Sequence, residues 1–171
     1  MRRLVRLTVL ALALAAPAAG YAMAGGSGSD DGTLSVKGGI GRVYLSFNGS
    51  VVGRLGGRGY IQAFDPTAND GSGVVFTGCD VERDVSTSTS ICRSDGKDTV
   101  VRFRAIGGKY VITIKGFGIF LSAVGHGYAT LNGAGDSPDI GYDGTYSVND
   151  GPYRSLPDEL GTVLLAAPAG G

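Results

Sequence analysis

The chain has 171 residues, 15 Lys and Arg against 15 Asp and Glu, 31 glycines, two cysteines, one histidine and no tryptophan. A formal charge of zero excludes a generally basic nucleic-acid binder. Glycine is far above its ordinary share of about 7%, yet keeps no period of three, which excludes collagen, and no window carries the i, i+3, i+4 apolar pattern of a helix.

Residues 1–24 read as a secretory signal peptide. Arg2 and Arg3 precede an apolar run, Leu7 to Ala19, broken only by Thr8 and Pro17, and Ala22-Met23-Ala24 supplies small residues at a cleavage site. The run is shorter than the roughly 20 residues of a spanning helix, so no membrane span is expected after cleavage, and no Cys follows it to take a lipid. Cleavage after Ala24 removes three arginines and leaves a net charge of about −3. Residues 25–32 (GGSGSDDG) follow as a flexible tether, and residues 33–166 suit one domain.

Gly41 to Asn48 (GRVYLSFN) alternates strictly, and Gly108 to Lys115 (GKYVITIK) echoes it. Period-two alternation puts Val43, Leu45 and Phe47 on one strand face and Arg42, Tyr44, Ser46 and Asn48 on the other; Tyr110, Ile112 and Ile114 repeat the apolar side. Asn48-Gly49 is a hairpin signal and Lys115-Gly116 a weaker one. The returning strands are expected at Ser50 to Leu55 and Phe117 to Val124. Gly56-Gly57 and Gly125-His126-Gly127 then reverse the chain into third strands at Tyr60 to Phe64 and Tyr128 to Leu131. Further strands are expected at Thr33 to Lys37, Gly73 to Thr77, Thr99 to Ala105, Thr145 to Val148 and Thr162 to Ala166. The expectation is an all-β antiparallel sandwich or barrel built from two duplicated three-stranded meanders, with internal repeats over residues 34–77 and 99–148. A β-solenoid is the competing architecture.

Cys79 and Cys92 are the only thiols, and behind a secretion signal an even count implies a disulfide. It would close the polar stretch Asp80 to Ile91 and pin a hairpin joining the two units. The spacing is not CxxC, and a single histidine makes a Cys/His metal site poor.

No motif specifies a reaction. His126, between Gly125 and Gly127, reads as an exposed turn residue, and there is no G-x-S-x-G elbow to go with it. Acids gather in two loops: Asp65, Asn69 and Asp70 in the first, Asp136, Asp139 and Asp143 in the second. Hard oxygen ligands so grouped are candidate calcium ligands, although neither loop has EF-hand spacing and Asp and Asn are ordinary turn formers. Asn48-Gly49-Ser50 matches a glycosylation acceptor that the hairpin tip explains fully.

Charge is segregated. Gly38 to Phe64 holds Arg42, Arg54 and Arg58 and no acid, and Thr99 to Gly135 holds Arg102, Arg104, Lys109 and Lys115 and no acid. Arg42, Arg102, Arg104, Lys109 and Lys115 fall opposite the apolar strand faces. If the outer faces of the two units adjoin, one basic patch results that attracts an anionic polymer in a salt-dependent way; the plain alternative is cations guarding sheet edges.

Gly151 to Gly161 is irregular and expected to drape over the sheets through Tyr153 and Leu156, with a flexible tail over residues 167–171. Leu156-Pro157-Asp158-Glu159-Leu160 lacks what a sortase signal needs after it. GFGIFLSAVGHGYATLNG (Gly116 to Gly133), followed by DGTYSVNDGPYRSLP (Asp143 to Pro157), resembles Gly-rich secreted all-β proteins of actinobacteria. These have no assigned activity, so the resemblance implies a bacterial extracellular setting and carries over no residue role. The function expected is a secreted, non-catalytic β-domain with a structural or binding role at the cell envelope, contacting an anionic cell-wall or extracellular polymer through its basic strand face. The alternative is an extracellular hydrolase using Asp136, Asp139 and Asp143. A third possibility is self-assembly through strand edges.

Overall fold

A computed structural model describes residues 31–68, 73–135 and 143–166. The expected leader, most of the tether, Asn69, Asp70, Asp136, Asp139 and the tail lie outside the described residues. The elements are β1 (Gly32–Leu55), β2 (Gly59–Phe64), β3 (Val75–Thr77), β4 (Val81–Ser86), β5 (Thr89–Ser94), β6 (Val101–Gly133), β7 (Thr145–Val148), β8 (Arg154–Ser155) and β9 (Gly161–Leu165). The protein is all-β and antiparallel, as its alternation and glycine punctuation predict. One open sheet runs β4-β5-β2-β6-β1-β7-β8, with β3 and β9 also paired to β6. Among the described residues no helix is long and apolar enough to cross a membrane.

Two long strands, β1 and β6, organise the sheet, because β6 lines both edges of β1. Val43 faces Ile114 on one side and Leu131 on the other, and Leu55 faces Val101 and Ile119. Reciprocally, Leu121 has Val36 on one side and Gly53 on the other. Two strands that neighbour each other twice must wind around one another, and the ladder divides into two layers. One contains β4, β5, β2 and β9 with residues 41–48 of β1 and 109–116 and 127–133 of β6. The other contains β3, β7 and β8 with residues 33–37 and 50–55 of β1 and 101–105 and 119–124 of β6. Alternate side chains of both layers enter one buried cluster, among them Leu34, Leu45, Leu55, Ile61, Ile112, Ile114 and Leu131.

The hairpins expected at Asn48-Gly49 and Lys115-Gly116, and the reversal at Gly125-His126-Gly127, are not formed: β1 and β6 run through all three. The glycines serve a different purpose. Gly49 and Gly125 are cross-strand partners where the long strands pass from one layer to the other. A Cβ on Gly49 would run into the Val124 carbonyl oxygen, and one on Gly125 into that of Asn48. Close backbone approach therefore excludes a side chain at either position. The two echoing stretches are antiparallel neighbours, with Arg42 opposite Lys115 and Gly49 opposite Gly108, rather than the first strands of separate three-stranded meanders.

The Cys79–Cys92 disulfide is present. The polar stretch it closes is a β-hairpin, β4-β5, with every β4 residue exposed and Cys92 fully buried opposite Ile61 of β2. Beyond β7, Leu156 is buried and its amide donates to the Gly144 carbonyl at 3.1 Å, so the irregular stretch does cover the core.

Candidate anion-binding groove

Alternation in β1 and β6 turns Val36, Phe103 and Leu121 inward and their neighbours outward. The register then assembles the outward residues across the second layer. Arg54 lies between Arg102 and Phe120, Val52 between Arg104 and Ser122, and Ser122 faces Ser35. An open groove of about 460 Å³ runs over this face, lined by Ser35, Lys37, Val52, Arg54, Arg102, Phe120 and Ser122 and reaching Val36, Phe103 and Leu121.

Two of its cations, Arg54 and Lys37, are held by rings. The Arg54 guanidinium lies over the Phe120 ring, 4.2 Å from the centroid. Lys37 Nζ lies 4.0 Å from the centroid of Tyr153, whose phenol donates to Ser35 Oγ at 3.0 Å. The neighbouring Lys37 ammonium, then the Ser35 hydroxyl, hold the Tyr153 phenol below its usual value of 10.0. Among the described residues no carboxylate pairs with Arg54, Arg102 or Arg104, and the one contact of ion-pair geometry is His126 Nδ1 with Asp31 Oδ1, at 3.2 Å. Asp150, close enough to act on Tyr153, is itself bonded to Thr33 Oγ1 at 3.1 Å. Like charges directly opposite across a ladder are unfavourable, by roughly 0.2–1 kcal/mol relative to a neutral pair. Arg54 opposite Arg102 is therefore an arrangement that an anion would relieve.

The seven cations expected to form a patch do not form one. Arg54, Arg102 and Arg104 come together beside the groove. Arg42 and Lys115 face each other on the other layer, and Lys109 faces Asn48 beyond them. That layer presents Tyr44 and Tyr128, ring centroids 6.0 Å apart, and the bond to Tyr128 raises the Tyr44 phenol above 10.0. Arg58 is exposed in the turn between β1 and β2, where its backbone carbonyl accepts the Phe117 amide at 3.2 Å. Sequence reasoning missed Lys37, Ser35, Phe120, Ser122 and Tyr153. Lys37 lies one residue before the acid-free run, and following the alternation back through Ser35 would have found both.

The remaining candidates are separate from the groove. His126 is in β6 opposite Asn48, not in a turn. Asp143 Oδ2 accepts the Gly135 amide at 3.0 Å. Asp65 is buried; its Oδ1 accepts the amide and hydroxyl of Thr67 at 2.8 and 3.0 Å, and its Oδ2 has no partner among the described residues. No three His, Cys, Asp or Glu side chains are grouped for a metal among the described residues. No family model matches the chain, and neither a curated protein nor a solved structure is significantly similar to it.

Proposed function

We propose that this chain is a secreted, non-catalytic binding domain that holds an anionic polymer at the cell envelope, with Arg54, Arg102, Arg104 and Lys37 contacting the negative groups. The observation that carries this reading is the Arg54–Arg102 cross-strand pair, unneutralised by any carboxylate among the described residues and set beside an open groove. Secretion is supported by the leader pattern of residues 1–24 and by a disulfide, which persists in oxidising compartments. Electrostatic attachment of this kind weakens as salt rises, because ions screen the attraction.

The hydrolase alternative gains no comparable support. Of its three carboxylates only Asp143 lies among the described residues, and there it binds the Gly135 amide.

The test is retention of the purified chain on immobilised polyanions, polyuronate and polyphosphate, over a salt gradient. Retention at low salt that falls as salt rises, and is weakened by Arg54→Gln with Arg102→Gln, supports the proposal. Absent or salt-insensitive retention overturns it.

A further inference from the structure

Cations alone do not account for the groove, because its walls are largely apolar. Between the charges lie the Phe120 ring and the Val52 side chain, over strand backbone at Phe103 and Leu121, whose own side chains are buried in the core. Two hydroxyls face this surface from adjacent strands, Ser35 and Ser122, which are ladder partners. Ser35 already accepts from the Tyr153 phenol, whereas Ser122 is exposed and has no protein partner among the described residues. At about 460 Å³ the groove lies within the range of about 300–1,000 Å³ typical of small-ligand sites, in which apolar walls carry a few placed polar groups.

A chain of phosphates would use the cations and nothing else here. It has no apolar surface to lay on Val52 and Phe120, and its approach would desolvate these walls without replacing water by a favourable contact. A sugar ring differs, having one face of C–H groups and an equator of hydroxyls. Its C–H face suits an apolar and aromatic floor, and its hydroxyls suit Ser35 and Ser122. A ring carboxylate is planar and matches the fork of a guanidinium, which Phe120 holds in place at Arg54. The Arg54–Arg102 pair supplies the complementary charge, and the openness of the groove lets a polymer enter and leave along the face.

We infer that the occupant is an acidic polysaccharide whose sugar rings bear carboxylates, a polyuronate, with one ring lying on Val52 and Phe120, its carboxylate on Arg54 and Arg102 and a hydroxyl on Ser122. This rests on the anion-binding reading above and narrows it to one class of polymer. Ser122 then distinguishes a sugar from a bare polyanion, since it meets a hydroxyl in the first and nothing in the second.

The experiment is calorimetric titration of the full chain, at one fixed low ionic strength, with oligogalacturonate, linear polyphosphate of matched charge, and uncharged dextran. The uronate is expected to bind at least about tenfold more tightly than the polyphosphate, and dextran not to bind. Ser122→Ala, an exposed substitution checked by its unfolding midpoint, is expected to weaken uronate binding by about threefold to tenfold, the loss of one hydrogen bond, and to leave polyphosphate unchanged. Arg54→Gln weakens both. Equal or tighter binding of polyphosphate, or a Ser122→Ala variant that binds uronate as before, overturns the polyuronate assignment while leaving the anion reading intact. Dextran binding as well as uronate also overturns it. Failure of both charged polymers to bind overturns the two readings together.

Discussion

Arg54 is flanked across the ladder by a ring on one side and a like charge on the other: its guanidinium lies 4.2 Å from the Phe120 centroid, and Arg102 is its opposite partner. The ring holds the Arg54 guanidinium on its Phe120 side, while the register leaves a second cation, Arg102, as its partner on the other side.

Removing one charge should therefore help folding and harm binding. Arg102→Gln is expected to raise the unfolding free energy by up to about 1 kcal/mol, the upper end for an opposed like-charge pair, and to elute earlier from immobilised polyuronate. Urea unfolding and salt-gradient retention measured on the same sample check both halves. A variant that loses stability while retaining binding contradicts the assignment.

The crossing of the long strands depends on two glycines with no room for a side chain. Gly125→Ala drives a methyl group into the Asn48 carbonyl and is expected to destabilise the protein by about 1–3 kcal/mol, the range for overpacking. Gly38→Ala offers a contrast, since a Cβ there meets nothing within 4 Å and its cost comes only from a φ of 63°. Gly125 also has a positive φ, 154°, so denaturant midpoints of the two variants compare clash plus backbone strain with backbone strain alone.

Breaking the Cys79–Cys92 bond frees the β4-β5 hairpin, whose first strand has no buried side chain to hold it. The chain-entropy contribution of so short a loop is about 3 kcal/mol. Reduction is expected to lower the melting temperature and to speed proteolysis within Val81 to Ser86 before the rest of the sheet is cut; limited digestion with and without reductant shows the order.

Acid should loosen the same region. Asp80 Oδ2 accepts the Asp95 amide at 2.8 Å and Oδ1 the Thr99 hydroxyl at 3.0 Å, and these bonds, the Asp95 amide first, hold its carboxyl below 3.8. A carboxyl depressed on folding contributes stability above its unfolded value, and that contribution is lost as pH falls through the folded one. Hydrogen exchange at the Asp95 amide, corrected for its intrinsic rate, is expected to become less protected as pH falls below about 4 and to lose that dependence in Asp80→Asn.

Much of the fold is legible in the sequence because period-two alternation survives whatever the strands pair with. Val43, Leu45, Tyr110 and Ile112 are inward as their spacing requires, and β7 has the expected bounds. Connectivity is not legible, for a physical reason: a glycine at a two-residue reversal and a glycine at a close strand crossing carry the same local signal. Asn48-Gly49 reads as a turn, and only the proximity of Gly125 shows that it is a crossing. β4 was missed because every side chain in it is exposed, so no apolar period marks it. At the groove, charge segregation identified Arg54, Arg102 and Arg104. Phe120 and Ser122 acquire meaning only from a register set by the doubled pairing of β1 and β6.

The most direct test of the central claim is an NMR titration of the full chain with oligogalacturonate, following the Arg Nε–H signals and backbone amides. The largest shifts are expected at Arg54, Arg102 and Ser122, reversed by added salt. Shifts centred on Arg42, Lys115 and Lys109 instead, or none at all, would contradict it.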